Sequence, residues 1–223
     1  MAEIETLTVK FDTKIAEAEI PLLRGAIIHT AESSNNLFHN HTENNYRYQY
    51  PLIQYKRING KAVMVCIGKG IEAVEDFFSN NTHIVRLGHK YILLPVEEKS
   101  KNTVNLHISD NVQYIYNINR YLPLNQENYI KYQSIDSIVD RYILIEKCLV
   151  GNILSFAKSM DTFFNDTIQV VLTDVKSINQ YQYKKIKMLG FDLTFKTNVQ
   201  LPEFIGLGKD VSLGYGTITR VKQ

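Results

Sequence analysis

Two histidines one residue apart, His39 and His41, stand in the polar run Phe38-His39-Asn40-His41. Imidazole titrates near neutrality, so one ring of such a pair can accept a proton while the other delivers one or orients an anion. In a helix the two side chains would diverge by about 200°, whereas on extended chain they share a face. Lys56, followed by Arg57 and with Arg24 further upstream, supplies cations that can stabilise an anionic transition state. Plain alternatives stand beside these readings: a surface histidine pair, and a solvated hairpin flanked by Lys56 and Arg57. No acidic or cysteine set completes a metal site around His39 and His41, and no cofactor is expected. His29 follows Ala26, Ile27 and Ile28 and reads as a packed helix residue.

The chain ends in a second chemical feature. Gly206-Leu207-Gly208 and Gly214-Tyr215-Gly216 enclose five residues that include Lys209. Paired glycines permit tight reversal and can turn peptide N–H groups toward an anion, and Lys209 adds charge. The glycine–lysine spacing is not that of a nucleotide-hydrolysing phosphate loop, and no early strand precedes a helix as dinucleotide binding requires. A purely structural turn is the competing reading.

Charge is unevenly spread along the 223 residues. The total is +2, but residues 1–23 carry −3 (two bases, five acids), and residues 184–223 carry +4 (seven bases, three acids). Lys184, Lys185 and Lys187 open the basic segment, which can draw a polyanion to one side of the molecule. Tyr46, Tyr48 and Tyr50 alternate, as do Tyr114 and Tyr116, and either set can stack bases or simply fill strand positions. Hydrophobic residues at 44% and charged residues at 22% exclude a mainly disordered chain. Cys66 and Cys148 lie in separate apolar runs and read as reduced core residues. The acidic start and the charge-broken apolar stretches point to a cytoplasmic protein with no membrane partner.

Elements that must position these residues follow from periodicity. Leu7, Val9 and Phe11 alternate as in a half-buried strand, and Leu22, Leu23, Ala26 and Ile27 recur as in a helix over residues 21–34. Residues 47–56 and 61–67 flank Asn59-Gly60, a strong hairpin signal. A second helical stripe, Ile71, Val74, Phe77 and Phe78, precedes strand-like residues 82–87 and 91–95. The polar run 97–102 is the expected boundary between domains at 1–98 and 103–223. Beyond it come strands at 103–108 and 112–122 and a helix capped at Ser134, Asp136 or Ser137, with Ile138, Ile145, Leu149, Ile153 and Phe156 on its apolar face. Strands at 167–172 and 183–201 follow, with a second helix missing or very short. The pattern predicts an α+β protein of two ferredoxin-like domains with antiparallel sheets and a C-terminal glycine-rich loop.

The glycine loop, together with Leu23-Arg24-Gly25, the histidine pair and Tyr50-Pro51-Leu52-Ile53-Gln54-Tyr55-Lys56, resembles the Cas6 family of CRISPR RNA-processing endoribonucleases. The resemblance implies tandem ferredoxin-like domains that bind repeat RNA. It further implies cutting without a metal by attack of the 2′-hydroxyl, leaving a 5′-hydroxyl and a 2′,3′-cyclic phosphate. His39 and His41 would transfer protons and Lys56 would stabilise charge. Arg24, Arg57, Tyr46, Tyr48, Lys184, Lys185, Lys187, Lys209, Gly206, Gly208, Gly214 and Gly216 would hold the RNA. CRISPR effector proteins or a second copy of the chain are the protein partners it leaves open. A non-catalytic repeat-binding subunit is the alternative activity.

Overall fold

A computed structural model describes residues 2–31, 50–80, 84–109, 113–183 and 186–222. They form two compact units, one of residues 4–104 with 212–214, the other of residues 1–3, 105–211 and 215–223.

The first unit is built on β1 (Ala2–Lys14), α1 (Ile20–Ala31), β2 (Ile53–Ile58), β3 (Lys61–Ile67), α2 (Lys69–Asn80), β4 (Ile84–Leu87), β5 (Lys90–Leu93) and β6 (Val96–Leu106). Its sheet runs β2-β3-β1-β6. The β2–β3 hairpin closes through Asn59 and Gly60 at φ 51° and 81°, the left-handed pair that a two-residue turn needs to follow the strand twist. Alternation sends Leu7, Val9 and Phe11 into a core shared with Tyr55, Met64, Cys66, Leu23, Ile27 and Val74. Thr6, Thr8, Gln54 and Lys56 are also buried and alternate with those core residues along β1 and β2, so they lie on the opposite face of the sheet.

Three expectations change here. Residues 97–102 are not a linker but part of β6, the edge strand of the sheet. An edge strand with both faces largely in solvent needs no apolar alternation, and ion pairs of Glu98 with Lys10, Glu97 with Lys61 and Lys101 with Glu75 run along it. The strand-like residues 84–87 and 90–93 do not close the sheet but pair with each other as a separate ribbon, leaving β6 as the fourth strand. His29 is exposed on α1 and not packed into the core.

The second unit contains β7 (Tyr114–Tyr121), α3 (Gln126–Ser134), α4 (Ile138–Ser159), β8 (Val170–Tyr183), β9 (Ile186–Thr197) and β10 (Thr217–Arg220). Its sheet order, β10-β7-β9-β8, places fourth, first, third and second strands side by side, as the first sheet does in reverse listing. Both units therefore have the ferredoxin-like topology. Between β9 and β10 the only helical piece among the described residues is the short turn Val211–Leu213, so the glycine-rich loop stands where the second crossover helix would be.

Ser137 caps α4 by accepting from the Asp140 N–H at 3.3 Å, and Ile145, Leu149, Ile153 and Phe156 face the core. Ile138, expected on that face, is 50% exposed because it opens the first turn. The preceding helix α3 was not legible in the apolar periodicity. It has one buried anchor, Tyr132, and starts at Asn125, whose side chain accepts from Asn128 N–H at 2.7 Å. Among the described residues, no helix is long and apolar enough to cross a membrane.

Candidate functional site

Helix α1 carries Arg24 and precedes, in the sequence, the segment bearing the histidine pair. His39, His41, Tyr46 and Tyr48 lie outside the described residues, as do Lys184 and Lys185.

Arg24 is half-buried on α1, and its charge acts on Tyr55 of β2. Burial pushes the Tyr55 phenol well above its ordinary range, the neighbouring Cys66 adds to the rise, and the Arg24 guanidinium pulls the other way. Tyr55 Oη is buried without a hydrogen-bond partner among the described residues. Lys56 follows it in β2 opposite Val63 and is 1% exposed. The two neighbouring cations are thus split: Lys56 is shut off from solvent, while Arg57 is exposed. Arg57 donates from Nε to the Ile15 carbonyl at 2.7 Å and reaches Glu17 at 3.9 Å, bracing the hairpin end.

The glycine loop is tied inward. Leu207 N–H donates to Gly216 O at 2.9 Å, Gly216 N–H to Arg120 O at 3.1 Å, and Lys209 N–H to Leu122 O at 3.2 Å. A β-carbon on Gly216, at φ 62°, would lie 1.8 Å from the Leu207 carbonyl oxygen. One on Gly208, at φ 93°, would lie 2.9 Å from the Leu122 carbonyl and from the Tyr121 ring. These glycines are required because two backbone segments cross without room for a side chain. The expectation that the loop turns its peptide donors toward an anion fails at Leu207, Lys209 and Gly216, whose N–H groups are spent on internal carbonyls. Gly214 is buried against Ile20 and the Tyr55 carbonyl, and Gly206 bridges to Thr217. Lys209 and Lys187 are exposed and remain open to phosphate.

Tyr114 and Tyr116 are buried and so present no face for base stacking. Tyr116 accepts from Leu201 N–H at 2.8 Å, and its own hydroxyl donates to Leu201 O at 3.2 Å; burial pushes its pKa up to about 12. A residue with no spacing signal proves central instead. Arg120, next to last in β7, has φ 52°, with its N–H on Asp192 Oδ1 at 2.6 Å. Its guanidinium lies 4.1 Å from the Tyr215 ring centroid and 5.3 Å from that of Tyr181. Tyr181 and Tyr215 meet edge to face at 5.6 Å. This cation–π set joins the glycine loop to β8 and fixes the loop's exit.

Among the described residues, no group of three or more His, Cys, Asp or Glu is disposed to hold a metal ion.

Two ferredoxin-like units, the second with a glycine loop in place of its second crossover helix, set the class of fold. Family models identify the member: the Cas6b N-terminal domain matches residues 2–105 and the Cas6b C-terminal domain residues 107–221. The chain belongs to the Cas6b family of CRISPR RNA-processing endoribonucleases. It is similar to a crystal structure of Cas6b at TM-score 0.90 and 24% identity, covering 99% of this chain and all of that one. A second structure, of the CRISPR RNA processing endoribonuclease Cas6b, aligns at TM-score 0.76 and 22% identity over 99% of this chain and all of that one. An uncharacterised protein of Methanocaldococcus jannaschii is 34% identical over 106 residues, 48% of this chain and 71% of that protein.

Proposed function

We propose that the chain cuts repeat RNA by internal transesterification, with His39 and His41 as the proton-transfer pair. The family match across both units carries this reading. RNA brings its own nucleophile, so the protein has to align the ribose 2′-hydroxyl, remove its proton, protonate the departing 5′-oxygen and stabilise the phosphorane charge. Two imidazoles suffice for the proton steps, with no metal taking part. The 2′-oxygen–phosphorus bond forms as the bond to the 5′-oxygen breaks, leaving a 2′,3′-cyclic phosphate and a 5′-hydroxyl.

Arg24, half-exposed on the helix that precedes the histidine segment in the sequence, takes the charge-stabilising role. Lys56 is left with positioning β2 from within the buried face. Lys187 and Lys209 supply phosphate contacts, and RNA contacts are assigned to Lys184, Lys185, Tyr46 and Tyr48 as well. The glycines hold the loop in register. We place the reaction in the cytoplasm, with the product passed to a CRISPR effector complex or retained by a dimer of the chain.

The test is single-turnover cleavage of end-labelled cognate repeat RNA by His39→Ala and His41→Ala, with affinity measured in parallel. Either variant is expected to lose about 10²–10⁴ in rate while binding within a few-fold of wild type. Equal rates in wild type and the double variant would remove both histidines from the mechanism. Binding without a cut by the wild-type chain would leave it a repeat-binding subunit.

A further inference from the structure

The β4–β5 ribbon is the part of the first unit that its sheet does not use. Its register places Ile84 opposite Leu93, Val85 opposite Ile92 and Arg86 opposite Tyr91. Side chains alternate across a strand and match across a pair, so the ribbon has two distinct faces. Val85 is buried, and Ile92 and Leu87 pack against the core. The other face turns outward: Tyr91 is 75% exposed, Leu93 57% and Ile84 49%, with Arg86 exposed beside them. Leu22 of α1, 48% exposed, lies close to the Gly88 turn.

An exposed tyrosine and two aliphatic residues on a short ribbon could meet a protein or a nucleic acid. Charge decides between them. Residues 77–96 contain Arg86 and Lys90 and no Asp or Glu, an acid-free stretch in a chain with 23 acids. Arg86 donates from Nε to Gly88 O at 3.1 Å, which fixes its stem beside Tyr91. A rigid aromatic plane, a neighbouring guanidinium and apolar neighbours on a ribbon with no carboxylate of its own are complementary to single-stranded RNA. A base stacks on the ring, and its phosphate meets the cation.

We infer that the outer face of β4–β5 is a single-stranded RNA contact of this enzyme, with Tyr91 as the stacking platform and Arg86 as its phosphate ligand. The inference rests on the RNA-processing reading. It adds a contact on the ribbon that packs against α1, the helix preceding the histidine segment in the sequence.

The experiment is fluorescence anisotropy with the full chain and labelled cognate repeat RNA, across a salt series, for wild type, Tyr91→Ala, Tyr91→Phe and Arg86→Gln. Tyr91→Ala is expected to weaken binding about 5- to 150-fold, as loss of one base stack does. Tyr91→Phe keeps the ring and is expected to restore the affinity. Arg86→Gln is expected to lower the magnitude of the slope of log K against log salt by about 0.7, the single-strand value for one phosphate contact. Thermal midpoints equal to wild type confirm that the variants remain folded. Wild-type binding with unchanged Kd and slope in the variants overturns the ribbon contact alone, including the case in which the ribbon proves to hold a protein. No RNA binding by the wild type overturns the functional reading and this inference together.

Discussion

Gly216→Ala separates a structural glycine loop from an anion-binding one. A β-carbon at this position meets the Leu207 carbonyl oxygen at 1.8 Å, so one backbone segment must retreat by about 1.2 Å to reach the shortest distance real β-carbons tolerate. The neighbouring atom is main chain, so no rotamer change relieves it. That retreat disrupts the bonds Leu207 N–H to Gly216 O and Gly216 N–H to Arg120 O, each contributing about 1 kcal/mol. The left-handed backbone at φ 62° adds about 1 kcal/mol for a residue with a side chain. With the displaced packing around it, the expected loss is about 3–5 kcal/mol. Gly151→Ala is the control: its β-carbon meets nothing within 4 Å on the exposed face of α4, so the substitution is expected to stabilise by about 0.8 kcal/mol through helix propensity. Urea unfolding followed by circular dichroism reads both. A Gly216→Ala protein within about 1 kcal/mol of wild type but weakened in RNA binding would refute the crossing argument and restore the anion-binding reading.

Further outcomes follow from the same geometry. Burial raises the pKa of Tyr55, Tyr121, Tyr116 and Cys66. The unfolded chain therefore loses these protons first, and the stability they contribute is intact below about pH 9 and lost as pH rises further. Each fully mismatched group steepens the decline by about 1.4 kcal/mol per pH unit, which urea titrations at pH 8–11 will measure. Tyr55→Phe is expected to flatten that decline without lowering neutral stability, since its hydroxyl is buried without a partner among the described residues; a loss above about 1 kcal/mol at pH 7 would contradict this. Arg120→Gly is expected to be about 1 kcal/mol more stable than Arg120→Ala in thermal melts, because both lose the tyrosine stack while only glycine relaxes φ 52°. Asn125→Ala is expected to cost about 1 kcal/mol by removing the α3 cap.

Local patterns carried most of the topology. Asn59-Gly60 fixed a hairpin, the alternation of Leu7, Val9 and Phe11 fixed the first strand, and the helical stripe ending at Phe156 fixed α4. The 97–102 part of the edge strand β6 was hidden, although its end fell within the expected strand 103–108, because its charges pair across strands and its faces meet water, so nothing in its apolar pattern distinguishes strand from linker. Helix α3 was hidden for a related reason: one tyrosine anchors it, and a single buried residue has no period. At the site, residue type found the glycines but not their task. Spacing cannot show whether a peptide N–H faces solvent or a carbonyl, and at Leu207, Lys209 and Gly216 the partner is an internal carbonyl. Likewise Lys56 reads as an available cation until the pleat turns it into the sheet's buried face. Arg120 gave no signal at all, because its partners come from Asp192, Tyr181 and Tyr215, far away in sequence.

The most direct test of the chemistry is cleavage of cognate repeat RNA carrying a single deoxyribose at the scissile nucleotide, with chelator present. The account predicts that the all-ribose strand is cut to a cyclic phosphate end while the substituted strand is bound and left whole. Cutting of the substituted strand at the same position would contradict it, because the nucleophile would then come from somewhere other than the RNA.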